Sequence, residues 1–153
     1  MHTYEARVAW KRNGAKFTDL RYSRGHEWMF DGGVTLPASS SPSSVPVPYS
    51  VVQAVDPEEA LVAAASSCHM LTFLYLAAKR GFVVDTYEDD ALGVMEKNAQ
   101  GKLAITRITL RPRIEFSAGK TPTAPELEAL HHSAHEECYI ASSIKSEVVV
   151  EAG

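Results

Sequence analysis

The chain has 153 residues, 45% of them hydrophobic and 22% charged, with a formal net charge of −4. That length suits one domain, which buries roughly 70% of the surface its unfolded chain exposes. A slightly acidic, ordinary composition offers no field to attract nucleic acid or an anionic membrane, and both are set aside as partners.

The start, Met1-His2-Thr3-Tyr4-Glu5-Ala6-Arg7, shows no apolar run after a basic head. No stretch reads as an unbroken run of the roughly 18 apolar residues that a membrane span needs, so the expectation is a cytoplasmic protein. In a reducing cytosol the two cysteines, Cys68 and Cys138, are expected to be free, catalytic or metal-bound rather than a permanent staple.

The first third reads as strands. Tyr4 to Trp10 is rich in β-formers, Asn13-Gly14 is a hairpin-type turn, and Phe17 to Phe30 is expected to be extended up to Asp31-Gly32-Gly33. From Pro37 to Pro48, prolines forbid a central strand and the serines offer nothing to bury, which predicts a long surface loop. Asp56 then fits an N-cap, Pro57 the first helical position, and Glu58 and Glu59 the first turn, where the helix dipole favours negative charge. Leu61, Ala64, Ala65, Cys68, Leu71, Thr72 and Tyr75 recur at helical spacing, and Lys79-Arg80-Gly81 supplies a basic last turn and a stop. Extended segments follow at Phe82 to Thr86, Ala91 to Lys97 and Leu103 to Phe116. A second helix is expected over Glu126 to Cys138, and a strand over Ile144 to Val150. The order βββ-α-ββ-α-β is an α+β pattern in one domain, 1–153.

The first helix is apolar on nearly every side from Leu61 to Ala78. A helix of that kind must be covered all round, and packing against its copy in a second subunit would do it, so a homodimer is expected.

Cys68 on its own reads as a small core hydrophobe, inert and with a raised pKa. Its neighbours argue the other way, because Ser66-Ser67-Cys68-His69 places many polar groups in an otherwise apolar helix. Cys138 follows His131 and His135 at offsets of seven and three residues, which in a continuous helix share one face. Two imidazoles and a thiolate there would suit zinc, although no Cys-x-x-Cys or His-Glu-x-x-His accompanies them. Inert thiols, a redox pair and a metal site are the three readings open to the residues alone, and a small-molecule binding protein with inert thiols is the non-enzymatic alternative.

The Asp56-Pro57-Glu58-Glu59 helix start, the Ser66-Ser67-Cys68-His69-Met70 run and the Ala134-His135-Glu136-Glu137-Cys138 segment before a terminal strand together resemble the OsmC/Ohr family, thiol peroxidases that reduce organic hydroperoxides. The resemblance runs from the first strand to Val150. It implies an intertwined homodimer without flavin, haem or metal, in which Cys68 is the peroxidatic thiolate and Cys138 the resolving thiol. It further implies an external thiol or dithiol reductant, and makes Glu58 the carboxylate that holds an arginine against the reactive sulfur. The family's arginine lies before the first helix; Arg24 is the first choice here, with Arg21 and Arg12 behind it. Helix geometry adds that ten residues put Glu58 about 15 Å along the axis from Cys68 and roughly 80° around it, so the two do not touch directly. Tyr139 after the second cysteine, where many members have proline, and the long Pro37 to Pro48 loop depart from the family pattern. So does the Cys68-His69 pair, which marks a branch. His69, His131, His132 and His135 are left without an assigned role.

Overall fold

The structure is a computed structural model that describes residues 1–151. Its contacts divide into two compact units, one from Met1 to Ala60 and one from Leu61 onward.

In the first unit, β1 (Ala6–Ala9), β2 (His26–Phe30) and β3 (Thr35–Ala38) form an antiparallel sheet in that order, with Val8 opposite Trp28 and Trp28 opposite Leu36. The β2–β3 turn uses Asp31-Gly32-Gly33 as expected, Gly33 taking a φ of 98° that suits glycine. The strand expected over Phe17 to Phe30 forms only from His26. Before it, side chains hold the chain in turns: Phe17 stacks on Tyr22 at 4.5 Å, Trp10 packs edge-on against both rings, and its indole N–H donates to the Ser23 carbonyl at 2.8 Å. These local bonds replace a ladder. The Pro37 to Pro48 segment is largely irregular, but its serines are not idle. Ser39 is buried, its Oγ accepting the Val51 N–H at 2.9 Å and donating to the Ser40 carbonyl at 3.0 Å, so the hydroxyl satisfies backbone that the prolines keep out of a sheet.

Helix α1 runs Pro57–Lys79. Asp56 Oδ1 accepts the Glu59 N–H at 2.8 Å and Glu59 Oε1 accepts the Asp56 N–H at 3.2 Å, a reciprocal box that closes the helix start. At the other end the Phe82 N–H reaches the Ala77 carbonyl and the Gly81 N–H that of Ala78, both at 3.0 Å, with Gly81 at φ 81°. This is a Schellman stop. Ala65, His69, Phe73 and Ala77 are buried at four-residue spacing along one face. Contrary to the sequence expectation, α1 is long and apolar enough to cross a membrane by length and mean hydropathy, 1.6 over its best window. Ser66, Ser67 and His69 interrupt the apolar run, which hides this from a residue-by-residue count.

The second unit continues with β4 (Val84–Asp89), β5 (Leu92–Lys97), β6 (Leu103–Leu110), β7 (Pro112–Phe116), α2 (Ala124–Glu137), α3 (Tyr139–Ser143) and β8 (Glu147–Val150). Strands β4 and β7 pair antiparallel; β5 and β6 pair antiparallel, and β8 joins β6 in parallel with Ile108 opposite Val148. Four strands therefore separate α1 from α2, more than the two of the expected order or its three extended segments. The expected single segment Leu103 to Phe116 breaks at Arg111, whose N–H leaves the ladder for Asp89 Oδ1 at 2.6 Å, and Pro112 has no N–H to continue it. Helix α2 starts two residues before the expected Glu126, capped by a Thr123–Glu126 box, with Pro125 in the first turn where its missing N–H costs nothing.

Two apolar clusters hold this unit. Phe73 and Ala77 pack with Phe82, Leu130 and Ala134, while Ala65 packs with Ile108, Leu110 and Val148. Both faces of contact come from α1, which makes that helix the centre of the unit.

Candidate functional site

Cys68 lies midway along α1, half-buried, one residue from the buried His69. Cys138 closes α2 and opens α3: its backbone is extended at φ −72° and ψ 117°, and its Sγ accepts the Ala141 N–H at 3.5 Å. Cys68, distant in sequence, lies near enough to Cys138 to raise its thiol pKa. Both are free. Their exposure differs, Cys138 being only 1% exposed. Burial pushes the Cys138 thiol pKa up and the neighbouring Cys68 adds to this, against the opposing pull of the Ala141 and Ile140 N–H groups.

The metal face, one of the readings open to the sequence, does not form. Among the described residues no three His, Cys, Asp or Glu side chains converge on a point that could hold an ion. The reason is local: α2 ends at Glu137, so Cys138 leaves the helical phase that was to align it with His131 and His135. His131 instead turns to α1, where its Nδ1 lies 3.0 Å from His69 Nε2 with the rings nearly coplanar, 9° apart. Phe73 packs against His131 at 4.6 Å.

This imidazole pair is part of a larger polar group inside the unit. Ser66 Oγ donates to Asp89 Oδ2 at 2.5 Å, and Asp89 Oδ1 takes the Arg111 N–H. Burial lowers the His69 pKa to about 4, helped by His131 and His135 and opposed by Asp89. Burial also lowers that of His131, again against Asp89. The Tyr87 hydroxyl is pushed up by burial and then by Asp89. His69 Nδ1, His135 Nδ1 and Tyr87 Oη are buried without a hydrogen-bond partner. Sequence reasoning flagged Ser66 and His69 as odd in an apolar helix but missed Asp89 and Tyr87. Asp89 sits in the run Glu88-Asp89-Asp90, which reads as a solvated acidic patch, and only its register opposite Pro112 turns it inward.

In the first unit, Arg24 Nη1 donates to the carbonyls of Leu20 at 2.8 Å and Tyr22 at 2.5 Å, and the guanidinium stacks over the Tyr22 ring at 3.7 Å. Arg21 is engaged through its backbone N–H to Asp19, and Arg12 through its carbonyl to Ala15. Glu58 stands in the first turn of α1 with its Oε2 buried and unpartnered.

Comparison with known proteins bears on the family and the fold. The pattern of OsmC-like proteins matches residues 51–153. The chain belongs to the OsmC-like family. An OsmC-like protein of unknown function from Vibrio cholerae is 52% identical over 100% of both chains, with a TM-score of 0.98. The organic hydroperoxide resistance protein OhrB of Bacillus subtilis is 16% identical, with 99% of this chain and 98% of that one covered and a TM-score of 0.67. An organic hydroperoxide resistance protein from Elizabethkingia anophelis is 14% identical, with 100% and 98% covered and a TM-score of 0.71. At those identities the last two share the fold. No curated protein matches the chain.

Proposed function

We propose that this protein is a thiol-dependent peroxidase that reduces organic hydroperoxides to alcohols with Cys68 as the attacking sulfur and Cys138 as the resolving one. One observation carries the reading: two free thiols are neighbours close enough for Cys68 to raise the Cys138 pKa, and Cys68 is the more exposed of the two. A peroxide reaches Cys68 first, and the buried Cys138 waits nearby for the product of that attack. The organic hydroperoxide resistance proteins that share the fold support the choice of substrate class.

In the first step the Cys68 thiolate attacks the terminal oxygen of ROOH. The O–O bond breaks, an S–O bond forms, and RO⁻ takes a proton to leave as ROH. Cys138 then gives up its proton and attacks the sulfenic sulfur, forming the disulfide and releasing water. The Ala141 and Ile140 N–H groups beside Cys138 favour its thiolate at that moment. Two equivalents of an external thiol, or one dithiol, return both cysteines to the reduced state.

In the same reading Glu58, whose Oε2 lacks a partner, is the carboxylate that holds a guanidinium, with Arg24 its first candidate. The working form is a homodimer in the cytoplasm. Leu71 and Tyr75, 61% and 59% exposed on α1, favour a second copy as their cover.

Mass spectrometry of protein treated with one equivalent of cumene hydroperoxide tests this. The expected outcome is a Cys68–Cys138 disulfide in the wild type, a sulfenic acid on Cys68 in Cys138→Ser, and no reaction in Cys68→Ser. Reduced thiols alongside surviving peroxide would rule the reading out.

A further inference from the structure

A cavity of about 920 Å³ opens along one side of α2, and neither cysteine lines it. A volume of this size is that of a small-molecule pocket. Its walls are of two kinds. Ile114 of β7, Leu127 of α2 and Val149 of β8 present hydrocarbon; His131, His132 and His135 present imidazole.

The imidazole side is incompletely satisfied. His131, only 9% exposed, spends its Nδ1 on His69, so its Nε2 is the nitrogen left for the cavity. His132 and His135 also line this wall. The charged neighbours say what kind of group these rings would bond. Arg113 at the rim is occupied by Asp90 at 2.8 Å and Glu88 at 3.4 Å, and Glu128 adds a negative charge with no basic partner in the cavity wall. An anionic head would meet net negative charge there, and burial works against a charged His131 that might offset it. A neutral imidazole has one N–H donor and one bare acceptor nitrogen. The complementary head is a hydroxyl, which donates once and accepts.

We propose that this cavity binds a neutral amphiphile, its hydroxyl-type head bonded by the imidazoles of His131, His132 and His135 and its hydrocarbon body laid along Ile114, Leu127 and Val149. The site stands apart from the thiol chemistry and does not depend on it.

The test is a titration of the reduced full-length protein with octanol, octanoate and octylammonium, read from the ring nitrogen and carbon resonances of the histidines. Octanol is expected to shift His131, His132 and His135 saturably, and octanoate to bind at least about tenfold more weakly. Val149→Trp and Ile114→Trp fill the cavity from opposite walls, and each folded variant is expected to lose at least about tenfold in octanol affinity. The head-group comparison needs no variant, so a misfolded one does not decide the matter. Absence of saturable shifts at the three rings overturns the proposal. So does tighter binding of octanoate, undiminished binding in a folded tryptophan variant, or a sedimenting dimer in which a second copy covers these residues and octanol moves none of them.

Discussion

Acidification should destabilise this protein through His69, and the size of the effect follows from its surroundings. The imidazole has a pKa of about 4 in the folded chain against 6.5 in the unfolded one, chiefly because burial opposes its charge. A base whose folded pKa is depressed binds protons more readily when unfolded, so its stabilising contribution is complete above 6.5 and is lost as pH falls toward 4. Over the whole window this single group accounts for about 3 kcal/mol, and between about pH 8 and about pH 5 for about 2 kcal/mol. His131 is shifted in the same direction by burial and adds to the loss, while Asp89 on β4 opposes both. Urea denaturation at a series of pH values measures it, with His69→Gln as the comparison, because glutamine keeps an amide near the Nε2 position without titrating. The wild type should lose about 2 kcal/mol more than the variant on going to about pH 5, carboxylate effects being common to both. Equal losses in the two proteins would refute the assignment, as would a wild type that gains stability in acid.

Phe73→Ala removes the ring at the centre of the cluster with Leu130 and Ala134, and should cost about 3–5 kcal/mol by urea denaturation at neutral pH. Gly81→Ala places a side chain at φ 81°, in the stop of α1, and should lower stability by on the order of 1 kcal/mol; an unchanged midpoint would show that the Schellman turn is not needed. Asp89→Asn takes away the charge that supports protonation of His69 and His131, so both rings should titrate at still lower pH when followed by NMR.

Much of the frame is legible in the chain because its signals are local. Asp56-Pro57 and Gly81 mark both ends of α1 by capping chemistry alone, and Asp31-Gly32-Gly33 marks where the second strand ends. What fails to show depends on partners far away in sequence. Residues 17–25 have strand composition, yet Trp10 and Tyr22 recruit them into an aromatic turn. Leu103 to Phe116 looks continuous until Asp89 captures the Arg111 N–H. The three-member face of His131, His135 and Cys138 assumes a helix that runs through Cys138, and no residue near Glu137 announces that it stops. The nearness of Cys68 to Cys138 is likewise invisible to spacing, since it depends on how α1 lies beside the α2–α3 corner.

The order of synthesis puts α1 in an exposed position. Ala65 waits for Ile108 and Val148, and Phe73 waits for Leu130 and Ala134, so no packing partner of the long apolar helix is closer than Phe82 and most come from the last third of the chain. Translation therefore releases a sticky segment many residues before its cover exists. Folding of this unit has to await nearly the whole polypeptide, with α1 meanwhile dependent on chaperones or on another copy of itself to stay out of aggregates.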